Sequence, residues 1–136
     1  MSFYLIDTNI LLDVSGADHT FGEKSRAALK NCAAQGTLVI NPIIYAEVGA
    51  MIESQDELND LLPEELFRRE SIPWPAAFLA GQAFRRYRQN RGLKPRMLAD
   101  FLIGAHAAVT KYILVSRDQG YQKYFKLAQL DPASTE

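Results

Sequence analysis

The chain has 136 residues, 48% of them apolar and 10% aromatic, with a formal net charge of −1. That length supports one continuous core but not two, and the composition is neither that of a disordered chain nor that of a general polybasic nucleic-acid binder. The lone Cys32 excludes an intramolecular disulfide and reads as a buried, inert thiol. With no signal-peptide pattern and no apolar run of membrane-spanning length, the expected location is the cytoplasm.

Phe3 to Ile6 is apolar on both alternating faces and predicts a short strand buried on both sides. A helix should follow at once, capped by Thr8 or Asn9, with Ile10, Leu11, Leu12 and Val14 as its apolar surface. After a loop at 15–18, helical periodicity runs from Thr20 to Gln35, and Gly36 fits the stop. Thr37 to Ile40 predicts a second buried strand. Pro42 then suits the first turn of a helix that carries Ile43 through Met51. Gln55 to Leu62 reads as a short helix stopped by Pro63, and Leu66 to Ile72 as a weaker strand. A turn at Pro73-Trp74-Pro75 leads into a helix from Ala76 to about Asn90, followed by a loop at 92–96. Met97 to Thr110 is helical, its small residues Ala99, Gly104, Ala105, Ala107 and Ala108 permitting close packing on a sheet. Tyr112 to Val115 is a strand, and an amphipathic tail with Tyr121, Tyr124 and Phe125 follows. Short buried strands alternating with helices predict an α/β fold with a mainly parallel sheet covered on both faces.

Four acids sit where solubility does not explain them. Asp7 ends the first strand, and Asp118 lies just past the last. Glu47, among Ile44, Tyr45, Val48 and Met51, and Asp100, among Leu98, Phe101, Leu102 and Ile103, interrupt apolar helix faces. Parallel sheets gather ligands at the carboxyl ends of their strands. Carboxylates collected there repel one another unless a cation sits between them, and hard oxygen ligands select Mg²⁺ or Mn²⁺. Such a site points to metal-dependent phosphodiester cleavage. Each acid also has a plainer reading: Asp7 as a helix cap, Asp118 in a turn, Glu47 and Asp100 on exposed helical stripes.

From Arg85 to Arg96, the residues Arg85, Arg86, Arg88, Arg91, Lys94 and Arg96 are not interrupted by an acid. Either this is a solvated face, or Arg85, Arg86 and Arg88 hold phosphates. His106, two turns past Asp100, reads as packed or as supporting the site, and His19 as a solvated loop residue. The spacing excludes a helical His-Glu-x-x-His zinc site, and one cysteine excludes a thiolate site.

At these acids the chain resembles the PIN-domain family, and within it the VapC-like ribonuclease toxins of toxin–antitoxin pairs. The matching pieces are Tyr4-Leu5-Ile6-Asp7-Thr8-Asn9, Tyr45-Ala46-Glu47-Val48, Leu98-Ala99-Asp100-Phe101-Leu102-Ile103-Gly104-Ala105-His106-Ala107 and Val115-Ser116-Arg117-Asp118. The resemblance implies a PIN-like α/β/α sandwich over residues 1–132; the tail at 133–136 is expected to fray as chain ends do. It implies that Asp7, Glu47, Asp100 and Asp118 bind Mg²⁺ or Mn²⁺, with Asn9 and Ser116 supporting them through hydrogen bonds. Further implications are RNA as substrate (single-stranded or looped, commonly tRNA), hydrolysis without a covalent intermediate, a homodimer, and inhibition by a small antitoxin. Two rivals stand beside it. One is a non-catalytic PIN-like module that binds RNA or protein. The other is a haloacid-dehalogenase-type phosphatase, which wants a second acid where this chain has Asn9.

Overall fold

The computed structural model describes residues 2–16, 20–90 and 96–134. Five strands form one parallel sheet: β1 (Ser2–Ile6), β2 (Gly36–Ile40), β3 (Phe67–Arg69), β4 (Ile113–Val115) and β5 (Gln129–Leu130), in the order β3-β2-β1-β4-β5. The central strand is the most apolar one. Leu5 and Ile6 point to opposite faces of the sheet and both are fully buried, so both faces are covered. Ser2 to Leu5 pair with Gly36 to Val39 on one side, and Tyr4 to Ile6 pair with Ile113 to Val115 on the other. The α/β class and the parallel sheet expected from the alternation of strands and helices are observed.

The helices are α1 (Thr8–Ser15), α2 (Gly22–Gln35), α3 (Pro42–Gly49), α4 (Gln55–Leu61), α5 (Trp74–Asn90) and α6 (Leu98–Thr110). Helix α1 packs on α2 and α3, and α5 packs along α6. Phe101 of α6 meets Phe84, Tyr124 and Phe125 edge to face, with ring centroids 5.4, 5.1 and 6.1 Å away. Such pairs are worth about 0.5–1.5 kcal/mol each beyond their burial, so this cluster pins the segment after β4 onto α6. At Gly104 a Cβ would stand 2.6 Å from the Phe125 ring and 2.9 Å from Tyr121. Glycine there is what lets the two rings reach the helix.

Several expectations shift. The cap of α1 is Asp7, not Thr8 or Asn9. Gly36 is not a left-handed stop but the first residue of β2, with φ −172° and ψ −151°. Its glycine is required by the neighbouring strand, since a Cβ would fall 2.0 Å from the Ser2 carbonyl oxygen. Helix α3 stops at Gly49, β3 is shorter than 66–72, and α5 begins at Trp74 with Pro75 in its first turn. The short strand β5 has no counterpart in the sequence reading. Residues Pro132–Ser134 form a 3-10 turn with Pro132 buried, and residues 135–136 of the end expected to fray lie outside the described residues. His19, Arg91, Lys94 and most of the loop at 92–96 lie outside the described residues. Among the described residues no helix is long and apolar enough to cross a membrane.

Candidate active site

Asp7 follows β1 directly. Its backbone N–H donates to the Val115 carbonyl at 3.0 Å, extending the β1–β4 ladder. One carboxylate oxygen caps α1, accepting from the Thr8 N–H at 2.8 Å. The other accepts from the Ser116 hydroxyl at 2.7 Å, the Tyr121 hydroxyl at 2.9 Å and the Asn9 amide at 3.3 Å. The side chain is buried. Burial pushes its pKa up from 3.8 to about 6; the hydrogen bonds from Ser116, Tyr121 and Thr8 pull it down, and the Glu47 charge adds to the rise.

The other three acids arrive from three further elements. Glu47, on α3, accepts from the Thr8 hydroxyl at 2.6 Å. Asp100, in the first turn of α6, accepts from the Met97 N–H at 3.2 Å and so also caps its helix. Asp118 starts a 3-10 turn (Gln119–Lys123), its Oδ1 accepting from the Gly120 N–H at 2.8 Å. All four line one cleft of ≈ 440 Å³ at the carboxyl end of the sheet, with Tyr121 in its wall. A second concavity, of ≈ 280 Å³, is lined by Tyr45, Arg69 and Glu70 and by none of the four. Tyr45 and Glu47 stand about 200° apart around α3, which separates the two.

The plainer reading of each acid therefore coexists with the functional one. Capping accounts for one oxygen of Asp7 and one of Asp100. It does not account for four carboxylates meeting in a single cleft. Their donor chemistry, four carboxylates, fits a hard divalent cation. As the side chains stand, no three His, Cys, Asp or Glu among the described residues are close enough to hold an ion together. Each instead has a protein partner: Glu47 is bonded to Thr8, Asp100 to its own helix end and Asp118 to Arg96.

Asn9 and Ser116 are both in the network. The Asn9 amide donates to the Ser116 hydroxyl oxygen at 3.1 Å, and its carbonyl accepts from the Arg117 N–H at 3.2 Å. Ser116, fully buried, also accepts from the Asp118 N–H at 3.0 Å, so one hydroxyl couples two of the acids. Of the basic stretch, Arg85, Arg86 and Arg88 are exposed on α5 and none lines the cleft. Arg96 departs from the basic-surface reading. It turns inward and meets Asp118 with both ends of its guanidinium, at 2.7 and 2.8 Å.

His106 is packed, as the sequence suggests, and away from the cleft. The Asn41 amide donates to its Nδ1 at 3.0 Å, leaving the ring proton on Nε2, which has no hydrogen-bond partner and lies 3.8 Å from Glu70. Burial lowers its pKa, against the pull of Glu70. Asn41 in turn caps α3 through the Ile44 N–H, so His106 braces the start of the helix that carries Glu47.

Sequence reasoning missed three contributors. Thr8 and Tyr121 both donate into the acid cluster; the signal for Tyr121 was its position three residues, one 3-10 turn, beyond Asp118. The third is a clamp. Asp13, buried in α1, takes Arg117 at 2.7 and 2.8 Å and the Ser25 hydroxyl at 2.7 Å, and the guanidinium lies 3.9 Å over the Phe21 ring. Arg117 stands between Ser116 and Asp118, so this pair fastens the site-bearing segment to α1 and α2.

The PIN domain family model matches residues 4–127. No curated protein sequence matches the chain. Among solved structures, the chain is similar to one in the VapBC-1 structure from nontypeable Haemophilus influenzae. The two share 18% identity with a TM-score of 0.75, over 97% of this chain and 99% of that one. A chain of VapBC2 from Rickettsia felis, bound to a DNA fragment from their promoter, gives 17% identity and a TM-score of 0.73, covering 95% and 98%. A chain of FitAcB from Neisseria gonorrhoeae gives 24% and 0.69, covering 97% and 99%. At these identities the structures share a fold with this chain. With the family model spanning nearly all of it, the chain belongs to the PIN domain family.

Proposed function

We propose that the chain is a Mg²⁺- or Mn²⁺-dependent endoribonuclease and the toxin of a toxin–antitoxin pair. It acts in the cytoplasm on single-stranded or looped RNA, tRNA included, as a homodimer restrained by a small antitoxin. The observation that carries the reading is the convergence of Asp7, Glu47, Asp100 and Asp118 on one cleft from four separate elements. Support for the partner comes from the structural neighbours, which are described as VapBC and FitAB assemblies and a toxin–antitoxin complex from Klebsiella pneumoniae. Residues 1–132 form the catalytic domain in this reading.

Asp7, Glu47, Asp100 and Asp118 would hold the ion; of the four, Asp118 alone has an ion pair among the described residues. Bound there, a divalent cation supplies Lewis acidity toward a phosphodiester. The chain's own groups do the positioning. Ser116, Tyr121 and the Thr8 N–H fix the Asp7 carboxylate, and Thr8 fixes Glu47. Among the described residues that line the cleft there is no serine, cysteine or histidine, and this reading takes hydrolysis to proceed without a covalent intermediate. The test is RNA cleavage with and without Mg²⁺, beside Asp7→Asn. Cleavage should need the metal and vanish in a variant that still folds. Cleavage at full rate by Asp7→Asn would end the proposal.

A further inference from the structure

One of the four cleft carboxylates already has a cation. Arg96 meets Asp118 edge to edge, Nη1 on Oδ2 at 2.7 Å and Nη2 on Oδ1 at 2.8 Å, and the Gly120 N–H adds a third bond to Oδ1 at 2.8 Å. A guanidinium fork matches a carboxylate in this way and lysine cannot. The seat is built for it. The Arg96 N–H donates to the Tyr87 hydroxyl of α5 at 2.6 Å, fixing the backbone from which the side chain departs. The guanidinium then lies on Gly120, where a Cβ would fall 1.7 Å from Nη2 and 2.4 Å from Cζ. Only 13% of the Arg96 side chain is exposed.

Hydrolytic centres with two ions place them about 3.5–4 Å apart, each needing its own share of the carboxylates. In this cleft Asp118 is the acid left for a second ion, and both its oxygens are committed to the guanidinium. A dication arriving beside Asp118 would also meet that fixed positive charge. Asp7, Glu47 and Asp100 carry no such pair among the described residues. We infer that Arg96 is a built-in cation standing in place of a second metal ion, so that the cleft takes a single divalent ion, on Asp7, Glu47 and Asp100. The inference rests on the metal-dependent reading above. Arg96 is a positioning residue: it holds Asp118 in the salt bridge and brings to the cleft a charge that two-ion sites obtain from solution.

The test counts Mn²⁺ ions bound per chain in the RNA-free protein, by calorimetry and by electron paramagnetic resonance of the free ion. Wild type should bind one. Arg96→Met, which keeps the length of the arm and removes the charge, should bind two. Gly120→Ala should also acquire a second, weaker ion, because the new methyl unseats the guanidinium. The backbone at 120 tolerates alanine and the flexible arm can move aside, so this variant answers even if Arg96→Met fails to fold. Two ions on the wild type, or a single ion on either folded variant, would overturn the inference and leave the nuclease reading intact. No ion on any of the three would remove the metal-dependent reading and this inference with it. A purely structural salt bridge would change melting temperature without changing the count.

Discussion

Replacing Asp7 by asparagine should stabilise the metal-free protein above neutrality and leave it no more stable in acid. The folded carboxyl holds its proton up to about pH 6, against 3.8 for an unperturbed Asp. A carboxyl whose folded pKa is raised contributes stability that is complete below the unfolded value and is lost as pH rises through the folded one. The shift, 6 − 3.8 = 2.2, corresponds to about 3 kcal/mol at 1.36 kcal/mol per unit. Asparagine never acquires the charge, so it avoids that loss. Part of the gain is offset. Oδ2 accepts from Ser116, Tyr121 and Asn9, and an amide nitrogen in its place forces both hydroxyls to turn and accept while facing the Asn9 amide. One poorly satisfied buried donor costs about 1 kcal/mol. The net expectation is a gain of about 2 kcal/mol near pH 8 that closes, or reverses slightly, near pH 4. Urea unfolding of both proteins in a chelator, across that range and with unchanged m-values, measures it. A gap of the same size at both ends, or a variant less stable throughout, would refute the reasoning. Adding Mn²⁺ should invert the order, since an ion held by the ionised carboxylate stabilises only the wild type.

Arg117→Ala should cost about 3 kcal/mol, because it leaves the Asp13 carboxylate buried without its cation, still accepting from the Ser25 hydroxyl. The double variant with Asp13→Ala should recover part of that, a coupling that a thermodynamic cycle reads directly. Gly104→Ala should cost about 1–3 kcal/mol, since its methyl group drives into the Phe125 and Tyr121 rings. It should also lower RNA cleavage by loosening the Tyr121 bond to Asp7; a variant of wild-type stability would show that the rings can yield. Replacing Arg85, Arg86 and Arg88 together by Ala should weaken RNA binding and flatten the salt dependence of log K by about 2, three contacts at about 0.7 each for a single strand. Unchanged binding would return these exposed side chains to a solvated face.

The fold was legible where burial is continuous. Phe3 to Ile6 and Thr37 to Ile40 are apolar on both faces because each strand has a neighbour on either side and helices above and below, and that environment leaves a mark on every residue. The edge strands carry fainter marks. Phe67–Arg69 buries only Phe67, and Gln129–Leu130 is two residues long and half-buried, too short for any periodicity. Boundaries failed where a residue type has two uses. Gly36 was read as a helix stop because glycine favours the left-handed region, but its φ is extended, and the true demand is the Ser2 carbonyl oxygen, which a Cβ at 36 would meet at 2.0 Å and which has no trace in the local sequence. Lys111 shows the converse: it takes the left-handed position after α6 at φ 62° with no glycine to announce it.

The acids of the site were legible for the same reason that their partners were not. A carboxylate interrupting an apolar stretch is anomalous at its own position, so Asp7, Glu47 and Asp100 could be found one at a time. A partner is defined only by what it faces. Arg96 closed a basic run and looked like surface, yet the fold turns it onto Asp118, 22 residues away. Asp13 lies in the helix following the first strand with nothing local to single it out, yet Arg117, 104 residues away, pairs with it and it is buried. Tyr121 sat among aromatics that serve the core, and its ring does so while its hydroxyl reaches Asp7 across 114 residues. Charge balance in this cleft is thus a property of contacts distant along the chain. The residues that could carry the chemistry can be proposed from their local oddity, but the groups that set their charge and orientation are assigned only once the sheet has brought the strand ends together.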